Sequence, residues 1–160
     1  MAGRWEDTRV VRGFSTAGAN DVLLAFVRTE LTRRPGLRIL DLGCTTGHST
    51  LPYKELFPDA EVWGIDVAAP QVKYAHLRAA GLGVDVNFAQ MNAEQTSFPD
   101  GHFDLVVSHI LLHETSGRAL PRIFDECFRL LAPGGWMIHA DLPPFDLMDP
   151  FTQFILDNET

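Results

Sequence analysis

The chain has 160 residues, of which 46% are hydrophobic and 21% charged, and this composition is typical of one globular domain rather than a disordered chain. Its formal net charge of -8 disfavours nucleic acid as a partner, because domains that bind a phosphate backbone usually carry a basic face. No apolar run approaches the ~20 residues needed to span a bilayer, and the N-terminus lacks the apolar region of a signal peptide, so we expect a cytoplasmic protein.

The predicted elements alternate along most of the chain. Residues 1–19 are polar and aperiodic and predict an N-terminal arm. A helix with one apolar face is expected from Asn20 or Asp21 to about Arg33, before Pro35-Gly36. Strands are then expected over Leu37–Leu42, Glu61–Asp66, Val84–Ala89, Phe103–Ser108 and Trp136–Asp141. The helices between them are expected over His48–Phe57, from Pro70 to the glycines Gly81 and Gly83, and over Ala119–Leu131.

This alternation predicts the α/β fold class. We expect a doubly wound, Rossmann-like parallel sheet with strand order 3-2-1-4-5, whose ligand binds outside the carboxyl ends of the strands. The chain divides into the arm 1–19, a cofactor-binding domain 20–142, and the start of an incomplete C-terminal region 143–160. Because a last strand without a neighbour would leave an unpaired edge, we expect either a fragment or a fold completed by a partner.

The segment Ile39–Thr50 predicts a ligand site. It joins a buried strand, an acid at the end of that strand and a glycine-bearing turn. Gly43 and Gly47 lack a Cβ atom and can adopt positive φ, which lets a ligand contact the backbone. Asp41 and Asp66 end consecutive strands 25 residues apart, near the spacing at which a second-strand acid binds a ribose. A ribose is therefore the expected middle of the ligand; the alternative is that both acids only cap the helices that follow.

Four sequence blocks occur in a characteristic order: ILDLGCTTGHST, WGIDVAAPQ, MNAEQTSFPDGHFDLVVS and RLLAPGGWMIHAD. Over about Leu37 to Leu142 they resemble the class I S-adenosylmethionine-dependent methyltransferases, most closely the small-molecule branch that includes the quinone-biosynthesis enzymes. The resemblance implies S-adenosyl-L-methionine as cofactor and transfer of its methyl group to a small-molecule acceptor by direct in-line displacement. It also implies that the usual last two strands are missing. We therefore expect either a homodimer, paired through the strand-five edge or the C-terminal segment, or a truncated form with little activity.

The resemblance implies a role for residues at the carboxyl ends of the first four strands. The first strand and its turn would hold the methionine end of the cofactor. The end of the second strand would contact the ribose and one face of the adenine, and the end of the third would contact the adenine edge. The end of the fourth strand would line the pocket beside the methionine. The cofactor-binding residues so implied are Asp41, Gly43, Cys44, Thr45, Gly47, Asp66, Val67, Asn92, Ala93, Ser108 and His109.

Thr45 departs from the family pattern. The family usually reads D-x-G-x-G-x-G, and here Thr45 replaces the middle glycine. A β-branched residue resists positive φ and adds bulk near the cofactor. If the backbone conformation of that glycine is essential, affinity should fall, whereas a site that needs only a small residue in an ordinary conformation would tolerate threonine. We expect weakened but retained binding, with loss of binding as the alternative.

The segment after the fourth strand holds the candidate catalytic residues. His109 and His113 stand four apart with Glu114 adjacent, but no third metal ligand is evident, so we predict no metal site. Both histidines are expected to edge the methyl-acceptor pocket. His113 is a candidate general base, because imidazole titrates near neutrality, or else a wall residue. Asp141, after the fifth strand, is a weaker candidate base.

The sequence is also compatible with two other classes of function. One is a noncatalytic interaction module that keeps the fold without turnover. The other is an NAD(P)-dependent oxidoreductase, which uses a similar sheet and a ribose-binding acid. The oxidoreductase is less favoured, because the turn lacks G-x-G-x-x-G and Asp41 would lie near a pyrophosphate.

Overall fold

The computed structural model describes residues 27–28, 35–142 and 150. The expected arm 1–19, most of the helix expected up to Arg33, and nearly all of the region 143–160 lie outside these residues, so the domain division stays a prediction. Val27 and Arg28 lie in a helix, and Val27 is buried in the core. Within the described ranges, no helix is long and apolar enough to cross a membrane.

The described residues form one five-stranded parallel sheet in the order β3-β2-β1-β4-β5, which confirms the predicted order. Its strands are β1 Arg38–Leu42, β2 Glu61–Asp66, β3 Asn87–Gln90, β4 Phe103–His109 and β5 Leu131–Ala140. The helices between them are α1 Leu51–Leu56, α2 Ala69–Leu82 and α3 Ala119–Leu130, with a 3-10 turn at Leu112–Glu114 after β4.

Apolar clusters cover both faces of the sheet. On one face, Ile39 and Val107 pack in a buried cluster with Tyr53 of α1 and residues of α2. On the other face, Leu40 and Val106 pack with residues of α3. Because both faces are covered, the central strands β1 and β4 have nearly uninterrupted apolar sequences. Their carboxyl ends are thereby held together at one edge of the sheet.

The last strand starts earlier than the predicted Trp136, and the segment Pro133–Gly135 lies inside it. β5 begins at Leu131, directly after α3, and its register against β4 shifts between Phe103 and Leu105. Gly134 adopts φ 74°, so it absorbs the irregularity inside the strand. The predicted start at Trp136 was wrong because a Pro-Gly-Gly sequence occurs in an irregular strand as well as in a turn.

Candidate functional site

A cavity of about 320 Å³ lies at the carboxyl ends of β1 to β4. This is the place where a doubly wound sheet binds its ligand. The lining residues come from the ends of four strands and from α3: Gly43, Ile65, Asp66, Val67, Met91, Asn92, Ala93, Glu94, Leu111, Glu114, Thr115, Ser116, Ala119 and Ile123. Of the eleven residues predicted to bind a cofactor, Gly43, Asp66, Val67, Asn92 and Ala93 line the cavity.

The wall of this cavity carries negative charge. Three carboxylates line it, those of Asp66, Glu94 and Glu114, and none of the described lining residues is Lys or Arg. Of the three, Glu94 is paired at 3.2 Å with Arg122, which lies outside the lining. A pyrophosphate would find no cationic partner on this wall, whereas a positively charged ligand would meet favourable charge.

Asp66 links the end of β2 to the turn after β1. Its Oδ1 accepts a hydrogen bond from the backbone N–H of Ala68 at 2.8 Å, and its Oδ2 accepts one from the N–H of Thr45 at 3.0 Å. A carboxylate has about four lone-pair sites, so both oxygens keep capacity for further donors. The two backbone contacts fix the orientation of the carboxylate at the cavity wall.

Asp41 is fully buried and only half satisfied. Its Oδ2 accepts hydrogen bonds from Ser49 Oγ and Thr50 Oγ1, both at 2.7 Å, while its Oδ1 has no hydrogen-bond partner among the described residues. The pKa of Asp41 is raised from 3.8 to about 6, because burial and, to a smaller extent, the charge of Asp66 raise it by more than the two hydroxyl contacts lower it. A buried acceptor without a donor is costly, so the Oδ1 of Asp41 lacks a donor that the described residues do not supply.

Every second residue of the turn Gly43–Gly47 has a left-handed backbone conformation. Gly43 has φ 68°, Thr45 φ 45° and Gly47 φ 76°. Thr45 therefore adopts the conformation expected of the glycine it replaces, not an ordinary one. Such a conformation is strained for a β-branched residue and persists only where neighbouring contacts hold it. The N–H of Thr45 is held by Asp66, as described above.

Protein side chains fill the space beside the two glycines. A Cβ atom on Gly43 would lie 2.8 Å from Leu111 Cδ1, and one on Gly47 would lie 2.8 Å from Phe88 Cζ. The Cys44 side chain points into the core, where burial raises the pKa of its thiol. Cys44 can therefore meet a ligand only through its backbone. Leu111, which is not among the predicted site residues, both lines the cavity and covers Gly43.

The predicted pocket residues on β4, Ser108 and His109, have histidine neighbours. Ser108 is buried, and its Oγ lies 2.8 Å from Nδ1 of His139 on β5. Burial lowers the pKa of His139 to about 4, so this histidine is neutral at physiological pH. His109 Nε2 is buried without a partner among the described residues; burial lowers the pKa of His109, the charge of His48 lowers it further, and Asp141 raises it. His48 had no assigned role in the sequence, although it belongs to the glycine-turn block.

Two separately predicted candidates, His113 and Asp141, are in direct contact. His113 Nδ1 lies 2.7 Å from Asp141 Oδ1, and His113 Nε2 lies 3.1 Å from Glu114 Oε1. Asp141 also accepts hydrogen bonds from the backbone N–H groups of Leu112 and Leu142, which fix its carboxylate. Across the part of the chain that the structure describes, no group of three or more His, Cys, Asp or Glu residues is placed to hold a metal ion.

The strand order, the glycine turn after β1 and the carboxylate after β2 agree with the class I S-adenosylmethionine-dependent methyltransferase fold. The chain belongs to the methyltransferase domain family, whose model matches residues 39–135. It is similar to the demethylmenaquinone methyltransferase of Thermus thermophilus, with 38% identity over 107 residues that cover 67% of this chain and 48% of the relative. This relative agrees with the predicted quinone-biosynthesis-like branch.

Two solved structures extend the comparison. A SAM-dependent methyltransferase from Methanosarcina mazei is 27% identical with a TM-score of 0.64, and the match covers 71% of this chain and 55% of that one. The [4+2]-cyclase SpnF is 30% identical with a TM-score of 0.65, and the match covers 74% of this chain and 43% of that one. The chain spans about half or less of the length of the curated relatives it matches.

Proposed function

We propose that this protein binds S-adenosylmethionine at the carboxyl ends of β1 to β4 and transfers its methyl group to a small-molecule acceptor. Two observations carry the proposal: the buried Oδ1 of Asp41 has no hydrogen-bond partner among the described residues, and the cavity at the strand ends bears carboxylates and, in its described lining, no Lys or Arg. A ligand with a cationic end and no phosphate suits this combination. Membership of the methyltransferase domain family supports the same ligand.

The positions of the residues suggest which part of the cofactor each would hold. Asp41 and the turn Gly43–Gly47 would hold the methionine end, and Asp66 would accept hydrogen bonds from the ribose. Val67 is 64% exposed on the cavity wall and would pack on the adenine. The pair Asn92-Ala93 would meet the edge of the adenine.

The bound cofactor supplies an electrophilic methyl group on a sulfonium, open to direct in-line displacement by an O, N or C nucleophile of the acceptor. The chain itself contributes alignment of the two reactants and exclusion of water. Apolar lining residues, among them Ile65, Leu111 and Ile123, keep water from the cavity wall. Ser108 and His109 would line the side of the pocket next to the methionine.

His113 and Asp141 are the proposed proton-accepting pair for acceptors that must lose a proton. A carboxylate on one ring nitrogen fixes the tautomer and leaves the other nitrogen to accept a proton. Asp141 lies on Nδ1, so Nε2 is the accepting atom. Glu114, whose side chain is 74% exposed, contacts Nε2 and would move aside for the acceptor. His109 would form the wall of the acceptor pocket.

Asp66→Asn is expected to weaken binding of S-adenosylhomocysteine by about tenfold to a hundredfold, because hydrogen bonds to a charged group contribute ~1.5–3 kcal/mol. The loss should shrink for the 2′-deoxyribose analogue, since that ligand has already lost one donor to the carboxylate. Titration calorimetry of both ligands with the wild type and with Asp66→Asn gives the four affinities of a double-mutant cycle. Asp59→Asn, on the exposed surface, is the control. Equal losses for the ribose and deoxyribose ligands would contradict a ribose-binding role.

His113→Gln is expected to lower the turnover of alcohol, phenol or amine acceptors by about 10²- to 10⁴-fold while leaving cofactor affinity unchanged. Acceptors that are already ionised, such as thiolates, should lose much less. Asp141→Asn should behave in the same way, and the double variant should be no worse than either single one, because the two residues act as a unit. His76→Gln, on α2, is the control. A uniform loss across all acceptors would rule out the proton-accepting role.

The similarity to a [4+2]-cyclase favours one second candidate function. In it, the protein uses the same fold and the same pocket for a function other than methyl transfer. Incubation with methyl-labelled S-adenosylmethionine and a panel of hydroxyl, amine, thiol and carbon acceptors separates the two functions. Label transfer supports the methyltransferase, and cofactor binding without any label transfer supports the second candidate.

Association through the edge of β5 is part of the proposal. β5 pairs with β4 alone among the described strands, so its other edge offers backbone groups to a second copy. Sedimentation of the protein tests this, with a dimer as the expected result and a monomer as the contrary one.

A further inference from the structure

We propose that Glu126 and Arg129 of α3 are positioning residues for the adenine of the cofactor. They act through the adenine loop, which we define as residues 91–100. This loop carries Met91, Asn92, Ala93 and Glu94 on the cavity wall. The inference rests on the proposed function, because it assigns residues that keep this wall in place for an adenine.

Glu126 fixes the middle of the adenine loop. Its side chain is buried, with the residue only 7% exposed, and its Oε1 accepts hydrogen bonds from both the N–H and the Oγ1 hydroxyl of Thr96 at 2.7 Å. Burial raises the pKa of Glu126, but hydrogen bonds from Arg129 and Thr96 more than offset it and lower the pKa overall. A carboxylate that is buried, ionised and satisfied on both oxygens is a rigid anchor.

Arg129 joins Glu126 to the far end of the loop. Its Nε donates to Glu126 Oε2 at 2.8 Å and its Nη2 to Glu126 Oε1 at 2.7 Å, a bidentate pair. Its Nη1 donates to the carbonyl of Phe98 at 2.9 Å and to Asp100 Oδ1 at 2.6 Å. The carbonyl of Arg129 accepts from the N–H of Gly101 at 2.9 Å. Two consecutive turns of one helix therefore hold the loop at several points.

The same helix also forms the cavity wall. Ala119 and Ile123 of α3 line the same cavity as the loop, and Arg122 donates to Glu94 Oε2 at 3.2 Å near the solvent. By contrast, the contacts at Asn92 itself are local: its Oδ1 accepts from the N–H of Glu94 at 2.9 Å. The position of Asn92 relative to α3 thus depends on the anchor at Glu126 and Arg129 together with the exposed Arg122–Glu94 contact. A small displacement of the loop would change which base edge the cavity accepts.

The test compares two ligands that differ only at the base edge. S-adenosylhomocysteine and S-inosylhomocysteine share the ribose and homocysteine, but hypoxanthine reverses the donor and acceptor pattern of adenine at positions 1 and 6. Calorimetry measures both affinities for the wild type, Glu126→Ala, Glu126→Gln and the milder Arg129→Lys. Asp125→Asn, on the exposed side of the same helix, is the matched control.

We expect the variants to lose their preference for the adenine ligand over the inosine ligand. The wild type and Asp125→Asn should prefer the adenine ligand by about tenfold or more, and this ratio should fall severalfold in Glu126→Ala and Arg129→Lys while the affinity for the inosine ligand changes little. Partial recovery in Glu126→Gln, which keeps one acceptor for Thr96, would support positioning. An equal loss of affinity for both ligands, or an unchanged ratio, would overturn the proposal.

Hydrogen exchange separates failure of this proposal from failure of the proposed function. A wild type that binds neither ligand would overturn the proposed function and the adenine role together. In that event, faster exchange of the Thr96 and Gly101 amides in Glu126→Ala than in Asp125→Asn would still show that the loop is anchored as described, and unchanged exchange would refute the anchor as well.

Discussion

Asp41→Asn is expected to make the ligand-free protein more stable at neutral pH and to abolish tight binding of S-adenosylmethionine. The pKa of Asp41 is raised to about 6, so the folded state holds a proton that the unfolded state has released between about pH 4 and pH 6. Stability therefore falls as pH rises through this interval, and above it the full cost of about 3 kcal/mol remains. Asparagine removes that cost and keeps an acceptor for Ser49 and Thr50.

Denaturant unfolding between pH 4 and pH 8 measures the first half of this prediction. The wild type should lose stability across the interval relative to Asp41→Asn, whereas Asp125→Asn should follow the wild type. Calorimetry measures the second half, since the neutral amide cannot attract the cationic end of the ligand. An asparagine variant that is less stable than the wild type at pH 7.5, or that binds the cofactor as well, would contradict the role given to Asp41.

Thr45→Gly is expected to stabilise the protein by about 1 kcal/mol and to tighten cofactor binding severalfold. Threonine is held at φ 45°, where strain costs ~1–3 kcal/mol, and glycine removes this strain at an entropic cost of ~0.5–1 kcal/mol. The smaller residue also clears space at the turn. Thr45→Asn should recover part of the gain in stability, because asparagine tolerates this conformation better than threonine does.

Thr46→Gly is the matched control, because it is the neighbouring threonine and its φ is not positive. It should destabilise the protein by about 0.5–1 kcal/mol, since glycine loses more conformational freedom on folding and relieves no strain there. Chemical denaturation of the four proteins gives the comparison. If Thr45→Gly destabilises the fold as much as Thr46→Gly does, the strain assigned to Thr45 is absent.

Local signals were enough to predict most of the fold. β2 has the predicted bounds because Pro58 and Pro70 punctuate the chain on either side of an apolar run, and α2 ends where Gly83 adopts a left-handed conformation. The start of β5 could not be predicted in the same way. Its irregularity is set by pairing with β4, a contact between segments distant in sequence.

In the site, too, local sequence signals predicted some features, and contacts between distant segments set the others. The ends of β1 and β2 indicated Asp41 and Asp66, because parallel strands bring their carboxyl ends to one edge. No local pattern could show that Asp141 contacts His113 across 28 residues of chain. Nor could propensity show that Thr45 adopts positive φ, because its partner, Asp66, comes from another strand and overrides the local preference.

Titration calorimetry of the unmodified protein with S-adenosylmethionine, S-adenosylhomocysteine and NAD tests the central claim most directly. We predict measurable binding of both adenosyl ligands, and weaker or no binding of the dinucleotide, because the described cavity lining offers carboxylates and no cation to a pyrophosphate. An absence of heat with both adenosyl ligands, or tighter binding of NAD than of S-adenosylmethionine, would contradict the account.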